Sequence, residues 1–240
     1  MTERWRLDLH VHTRYSYDCL SPVEEVLRVA RERGLDKVAI TDHNEIEGAF
    51  AARALDPGRV IVGEEVRTAE GFDLIGLFLN EKIPAHTPAR EAARAIREQG
   101  GVVYVPHPFA AGKGGGGAFL DALLPWIDVV EVFNARLHRA GLNRRAQRWA
   151  VEHGRPGGAG SDAHSHTEIG RASVDVPPFE GRDGLLAALA QGRVCGASSS
   201  PHVHLYSTWA KVWKAVRPDS APAGAGPGRG APGPGSGTPR

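Results

Sequence analysis

The stretch DLHVHT, residues 8–13, carries the strongest structural signal in the chain. His10 and His12 stand two residues apart within an apolar, β-branched run, which favours a β-strand. Side chains alternate along a strand, so both imidazoles leave the same face. Two neutral imidazoles that converge from one strand form half of a site for a divalent metal. Two structurally satisfied histidines at a strand end are the alternative interpretation.

Composition is typical of one globular domain with a tail, since 41% of the 240 residues are hydrophobic and 24% are charged. The formal net charge of +1 gives no general attraction to nucleic acid. Cys19 and Cys195 form no CxxC motif, which indicates a reducing compartment, and we expect a cytoplasmic protein. We find no secretory signal and no apolar run near the ~18 residues that span a membrane.

Strand-like runs alternate with helical runs along the chain. We predict strands over residues 5–12, 37–41, 60–66, 72–79, 102–105, 128–133 and 194–197. We predict helices over residues 22–33 (with Ser21 as its N-cap), 47–54, 88–99, 142–153 and 183–191. This alternation predicts an α/β fold with a parallel sheet, either a (β/α) barrel or a doubly wound open sheet.

Three segments differ in composition. Residues 1–208 are predicted to form a single ordered domain. Residues 209–217 form a short basic amphipathic segment, which we expect to pack against the domain; contact with RNA or a membrane surface is the alternative. Residues 218–240 are rich in Gly and Pro and have almost no apolar bulk, so we expect a disordered tail.

Metal-ligating residue types recur where the strand-like runs end. The motifs are TDH (41–43), GEE (63–65), PHP (106–108) and GSDAH (160–164), and Asp18 lies in the loop after the first strand. Each alone has a structural explanation, such as a turn or a cap. In a barrel the carboxyl ends of the strands meet at one face, where active sites form. The coincidence of these motifs therefore favours the barrel and a metal centre.

The order and the residue sequences of these motifs resemble those of the PHP family, named for polymerase and histidinol phosphatase. The resemblance covers about residues 7–176. It implies a single-domain distorted (β/α)7 barrel with two or three divalent ions, Mn, Zn or Fe, at the carboxyl ends of the strands. It also implies hydrolysis of phosphoesters.

Carried over to this chain, the resemblance implies three groups of ligands. The first ion would be held by His10, His12, Glu65 and Asp162; the second by Glu65 and His107; and the third by Asp18, His43 and His164. Glu65 is chosen over Glu64 because the family pattern is Gly-x-Glu. Asp73 stands where many members carry a histidine. It either ligates, which would favour oxygen-preferring metals such as Mn, or leaves that ion weak or absent.

Further side chains are candidates for roles around such a centre. Arg136 and Arg171 are the expected phosphate-binding cations, because a guanidinium binds phosphate in a bidentate manner. His138 and His166 are candidate general acids.

Asp8 and Asp42 adjoin ligand positions and are candidates to orient imidazoles. The metal ions would lower the pKa of a bound water to near neutrality, so no side-chain nucleophile is needed.

The expected function is hydrolysis of a small phosphomonoester or a nucleotide phosphate. A 5′-3′ or 3′-5′ exonuclease acting on short RNA or DNA is the first alternative, and stepwise release of mononucleotides would distinguish it. A metal-binding module without catalysis is the second, and bound metal without turnover would distinguish it. Metal-assisted hydrolysis of a carbon–nitrogen bond is a more remote alternative. The sequence does not predict the oligomeric state.

Overall fold

The computed structural model describes residues 3–111, 114–139 and 141–217. The strands are β1 (Trp5–Val11), β2 (Lys37–Ile40), β3 (Val60–Arg67), β4 (Asp73–Leu77), β5 (Val102–Val105), β6 (Val129–Asn134), β7 (Gly157–Gly160), β8 (Ala172–Val176) and β9 (Arg193–Gly196). The helices are α1 (Val23–Glu32), α2 (Glu47–Leu55), α3 (Ala89–Glu98), α4 (Leu120–Leu123), α5 (Leu142–Glu152), α6 (Gly181–Leu189) and α7 (Val203–Val216). The predicted tail, 218–240, lies outside the described residues.

The strands form one sheet in the order β7-β6-β5-β4-β3-β2-β1-β8-β9. The sheet nearly closes into a barrel between β7 and β1, because the segment that follows β7 makes backbone contacts with β1. The N–H of Asp162 donates to the carbonyl of His10 at 2.8 Å, and the N–H of His12 donates to the carbonyl of Ala163 at 3.0 Å. The predicted α/β barrel is confirmed, with β8 and β9 extending the sheet from the other side of β1.

Strand β4 departs from the parallel sheet that the sequence predicts. It pairs antiparallel with both β3 and β5. The connection from β3 to β4 spans only residues 68–72 and includes Gly71 at a φ of +85°. A parallel crossover needs about a dozen residues or more, so a connection this short forms a hairpin.

Strands β7 and β8 were not predicted. For β7, the reason lies in its sequence. Its residues read GGAG, and glycine has a low propensity for strands. The glycines are required by close packing. A Cβ on Gly158 would lie 2.4 Å from the Tyr104 ring, and one on Gly160 would lie 2.3 Å from Cβ of His10. Glycine therefore lets β7 lie directly against the side chains that build the site.

The predicted N-cap of the first helix is wrong. Helix α1 begins at Val23, its N-cap is Pro22, and no side chain caps it. Ser21 instead belongs to the preceding loop, because its carbonyl accepts a hydrogen bond from the N–H of Arg14 at 2.8 Å.

Two apolar clusters pack against the two faces of the sheet. The outer cluster combines helix residues such as Leu27 and Ile96 with strand residues such as Ile40. The inner cluster fills the barrel, for example Leu77 with Tyr104. The buried strand side chains thus divide between the two faces of the sheet, as in a packed barrel.

The predicted basic segment 209–217 forms the C-terminal part of α7, which packs on the domain through Ser207 and Ala210. Leu205, Trp209 and Val212 remain exposed on its outer face. Within the described residues, no helix is both long enough and apolar enough to cross a membrane.

Candidate metal centre

The carboxyl end of β1 supplies two converging histidines. The strand is irregular, because its register with β2 shifts between Asp8 and Val11. Leu9 packs in the inner cluster and Val11 in the outer one. His10 and His12 are both buried, and their Nε2 atoms lie 3.1 Å apart. The two imidazoles therefore point to one place inside the barrel mouth.

Two carboxylates join these imidazoles. Oε2 of Glu65 lies 3.2 Å from Nε2 of His10 and 3.4 Å from Nε2 of His12. Oδ1 of Asp162 lies 3.7 Å and 3.4 Å from the same two nitrogens. A set of two imidazole nitrogens and two carboxylate oxygens suits Zn, Mn or Fe. The structure thus brings together the first group that the resemblance implies.

Glu65 also contacts the second and third groups. Its Oε1 lies 3.0 Å from Nε2 of His107, and its Oε2 lies 3.1 Å from Nδ1 of His43. Glu64 projects from the other face of β3, where its Oε2 accepts the N–H of Ile83 at 2.8 Å. The choice of Glu65 over Glu64 thus agrees with the geometry, and Glu65 is positioned to bridge.

The third group lies on the solvent side of His12. Oδ2 of Asp18 is 3.2 Å from Nε2 of His164 and 3.7 Å from Nε2 of His43. Ring nitrogens of His12, His43 and His164 all lie within 4.8 Å of one another. Three sets of donor atoms, one beside the next, therefore occupy the mouth of the barrel.

The protonation states of His12 and Asp162 fit a metal site. Burial, with help from His164 and His43, lowers the pKa of His12 to about 3, so its imidazole is neutral and able to ligate. Burial alone would raise the pKa of Asp162, but the neighbouring positive and hydrogen-bonding groups, His10 foremost, together outweigh burial and hold that pKa well below its usual value. A neutral imidazole and an ionised carboxylate are the forms that bind a metal.

The balance of buried charges also fits a metal site. Burial would lower the pKa of His107, but its hydrogen bond to Glu65 and the surrounding carboxylate charges together outweigh burial and raise that pKa to about 8. Carboxylates buried beside imidazoles need either protons or cations to balance them. Divalent ions would supply that positive charge, so the residues present fit a metal centre.

Glu131 on β6 lies at a predicted strand end, but the sequence assigned it no role at the centre. Its Oε1 lies 3.1 Å from Nδ1 of His10, and its Oε2 accepts the N–H of His107 at 2.7 Å. Asn134 donates to Glu131 at 2.9 Å and to Asp162 at 3.3 Å. The available signal was one carboxylate inside the apolar run VVEVFN, which positions Glu131 at a strand end but does not reveal its partner.

Asp8 and Asp42 do not orient imidazoles, contrary to the prediction. Asp8 accepts the N–H of Ser161 at 2.9 Å and that of Gly170 at 2.8 Å. Asp42 accepts the N–H and the hydroxyl of Thr13, both at 2.6 Å. The irregularity in β1 separates Asp8 from the face that carries the histidines. Both aspartates instead fix the loops that carry ligand residues.

Asp73 is held by an arginine. Its Oδ1 lies 2.8 Å from Nε of Arg67, and it lines the pocket above the centre. It is not a member of the three groups of converging donor atoms. A carboxylate already paired with a guanidinium is a weaker metal ligand than one without such a partner, so the geometry favours the interpretation in which Asp73 does not ligate.

Arg136 lines the same pocket but is tied to other groups. Its Nε lies 3.1 Å from Oε1 of Glu168, and its Nη2 donates to the carbonyl of Val203 at 3.0 Å and to Oγ of Ser207 at 3.1 Å. The guanidinium therefore connects the barrel to α7.

The other predicted polar residues lie outside this pocket. Arg171 is exposed near Arg33, so the structure does not bring it to the centre. His138 does not line the metal pocket, because its Nε2 lies 2.6 Å from the carbonyl of Ser199 and holds that loop. His166 is exposed.

The pocket above the centre has a volume of about 350 Å³. Two of the metal-cluster residues on its wall have strained backbones, since φ is +27° at His107 and +54° at Asp162. Such conformations are rare outside glycine and persist where the surrounding structure holds them. Arg67, Arg136 and Lys211 place positive charge on its wall.

Comparisons with known proteins agree with this architecture. A family model described as "PHP domain" matches residues 8–100, and one described as "PHP-associated" matches residues 141–194. The "uncharacterized protein MJ1587" of Methanocaldococcus jannaschii is 40% identical over 151 residues, which cover 57% of this chain and 85% of that protein. The chain belongs to the PHP family. The resemblance seen in the motifs is therefore confirmed.

Two further comparisons concern a curated enzyme and a solved structure. The phosphoribosyl 1,2-cyclic phosphate 1,2-diphosphodiesterase of Eggerthella lenta is 36% identical over 86 residues, which are 32% of each chain. A two-domain protein of Bacteroides vulgatus, whose crystal structure contains a "predicted PHP-like metal-dependent phosphoesterase", superposes with a TM-score of 0.65 at 20% identity. That superposition covers 81% of this chain and 65% of the Bacteroides chain, and it shows the same fold.

Proposed function

We propose that this PHP protein hydrolyses a small phosphorylated substrate, a phosphomonoester or a nucleotide phosphate, with two or three divalent ions (Mn, Zn or Fe). The arrangement around Glu65 carries the proposal. Oxygens of this one buried carboxylate lie 3.0–3.4 Å from nitrogens of four imidazoles, those of His10, His12, His43 and His107. A carboxylate in that position is suited to bridge two ions, and paired ions are typical of enzymes that act on phosphate esters.

The protein's own residues prepare the centre. Bound divalent ions supply a water of lowered pKa and polarise phosphoryl oxygens. Glu131 lies at Nδ1 of His10, and the backbone carbonyl of Asp162 lies 2.9 Å from Nδ1 of His164. Acceptors at these positions fix the proton on Nδ1, so the lone pair of each Nε2 faces the centre.

The pocket favours a small substrate. Its volume of about 350 Å³ lies at the lower end of the range for small-molecule sites. Residues of α7 form one wall, which limits access for a long polymer. Positive side chains on the wall fit a phosphate group.

Diester hydrolysis is the second candidate, because the Eggerthella relative is by name a diphosphodiesterase. The same ions could act on a cyclic or linear diester, and an exonuclease would be one case. These functions differ from monoester hydrolysis in their products rather than in their metal ligands.

We also propose that the protein works in a reducing compartment, the cytoplasm. Cys19 is buried, Cys195 is half-buried, and both are free thiols. Thiols that stay free and unpaired suit such a compartment. An intramolecular disulfide in protein isolated from its native cells would contradict this.

The test is product analysis with purified protein, Mn²⁺ and a chelator control. The panel contains sugar phosphates, nucleotide mono- and bisphosphates, a cyclic phosphodiester and a labelled oligonucleotide. Chelator-sensitive release of free phosphate from a small monoester supports the proposal. Cleavage of only the cyclic ester or stepwise shortening of the oligonucleotide would replace it with the diester alternative. Bound metal without any turnover would favour a non-catalytic module.

Two variants connect turnover to the centre. His10→Ala and Asp162→Ala should abolish turnover and lower the bound metal, because each removes a donor atom from the first group. His86→Ala, which changes an exposed histidine, is the matched control. Full activity in a metal-depleted double variant would refute the assignment.

A further inference from the structure

Helix α7 lies across the mouth of the metal pocket. His204, Ser207, Thr208 and Lys211, which share one helical stripe, line the pocket. The helix is fastened on both sides of this stripe. Arg136 holds Val203 and Ser207, and Nζ of Lys214 donates to the carbonyl of Arg14 at 2.6 Å. The stripe is thus a fixed part of the pocket wall. Residues 203–216 lie beyond both segments that the family models match.

The cations on this wall differ in how strongly they are already paired. Arg67 lies 2.8 Å from Asp73, and the buried Arg136 lies 3.1 Å from Glu168. Both guanidinium groups therefore have a close carboxylate partner. Nζ of Lys211 lies farther, 3.7 Å, from its carboxylate neighbour Asp18, and its side chain is 50% exposed.

The position of Lys211 relates it directly to the centre. Asp18 belongs to the third group of donor atoms, so the ammonium lies beside a residue that would hold an ion. A carboxylate shared with a divalent ion is a weaker partner for a neighbouring ammonium than a free carboxylate. Nζ also lies 5.1 Å from the ring centroid of Tyr17, which keeps the side chain over the pocket.

We propose that Lys211 binds the phosphoryl group of the substrate, so that α7 completes the anion site. This inference rests on the proposed phosphoesterase function. An ammonium is a point charge with three donors, which suits phosphoryl oxygens that lie beside a metal centre. The substrate phosphate then lies between the ion cluster and α7.

The experiment measures binding of inorganic phosphate to the full chain loaded with Mn²⁺, by calorimetry, together with bound Mn²⁺ per chain. Lys211→Met should weaken phosphate binding about tenfold or more, because a charged hydrogen bond is lost, while bound Mn²⁺ stays unchanged. Lys211→Arg should recover part of the affinity. Lys37→Met is the matched control, because Lys37 lies over Trp5 at the amino end of β2, away from the centre.

The outcomes separate this inference from the proposed function. Unchanged phosphate affinity in Lys211→Met overturns the inference, as does a loss of Mn²⁺, which would show that Lys211 only supports Asp18. If the wild type hydrolyses no ester but binds phosphate through Lys211, the proposed hydrolase fails and the anion site stands. If the wild type hydrolyses esters and Lys211→Met leaves KM unchanged, the hydrolase stands and the inference fails.

Discussion

Oε1 of Glu131 lies 3.1 Å from Nδ1 of His10, and both side chains are fully buried. This contact fixes the ring of His10 and increases the basicity of its Nε2, which faces the other donor atoms. Glu131 would thus not contact the ions directly, but it positions His10, whose Nε2 lies beside His12 and Glu65.

Glu131→Gln should weaken Mn²⁺ binding by about 10–100-fold, because the amide keeps the shape but loses the charge that supports His10. Competition with a fluorescent chelator measures this affinity. Glu64→Gln is the matched control. It makes the same change in a buried glutamate, but on the face of β3 that points away from Glu65 and the metal centre. Equal affinity in the two variants would show that Glu131 has no special role in the centre.

Asp73→Asn should leave the number of bound Mn²⁺ ions per chain unchanged. The reason is that Asp73 is paired with Arg67 and stands outside the three groups of converging donor atoms. Asp162→Asn, the comparison variant, should lower the metal content, because Oδ1 of Asp162 faces both His10 and His12. Elemental analysis after desalting checks both. Loss of one ion from Asp73→Asn would establish Asp73 as a ligand.

Glu64 should make the folded state less stable as pH rises. Burial raises the pKa of Glu64 from 4.5 to about 8. The folded state therefore holds a proton that the unfolded state has already lost. The stability that depends on protonated Glu64 is fully present below pH 4.5, and it is lost as pH rises through about 8. The slope contributed by this group is at most about 1.4 kcal/mol per pH unit.

Urea unfolding of metal-free protein at pH 5, 6, 7 and 8 tests the role of Glu64. Glu64→Gln does not titrate, so its stability relative to the wild type should improve steadily with pH. Other buried acids titrate in both proteins, and the difference between the two curves isolates Glu64. Parallel curves would mean that its carboxyl stays ionised when folded.

The parts of the fold and site that could be predicted are those where metal-ligating residue types occur at the spacing of a β-strand. His10 and His12 lie at alternate positions of an apolar run, and Asp162 and His164 repeat that spacing at another strand end. The direction of β4 could have been predicted as well, because residues 68–72 are too few for a crossover.

Other features depend on contacts between distant parts of the chain. From its sequence alone, β7 is typical of a glycine-rich loop. Only the structure shows that Tyr104 and His10 pack so closely against it that glycine is required. The role predicted for Asp8 failed because the irregularity of β1 is not visible in its sequence. The stripe of α7 on the pocket, including Lys211, depends on how a C-terminal helix folds back over the barrel.

Cys19 should resist alkylation in the folded protein. Burial raises the pKa of its thiol to about 12, so almost no thiolate is present at pH 8. Iodoacetamide at pH 8 should label Cys195, which is half-buried, and should reach Cys19 only after urea is added. Intact-mass spectrometry counts the adducts and peptide mapping assigns them. Equal labelling of both thiols without urea would show that the loop around Cys19 opens readily.

The ion pair between Arg136 and Glu168 should fasten α7 to the barrel. Their side chains are only 5% and 1% exposed, so removing one partner leaves a buried charge without its counterpart. Arg136→Met should therefore lower the free energy of unfolding by about 3–5 kcal/mol, and the double variant Arg136→Met/Glu168→Gln should recover much of that loss. Urea unfolding monitored by tryptophan fluorescence, which includes Trp209 and Trp213 on α7, gives both values. If the double variant is less stable than Arg136→Met alone, Glu168 has a separate role, such as its hydrogen bonds to Ser165 at 2.9 Å and the N–H of His164 at 3.2 Å.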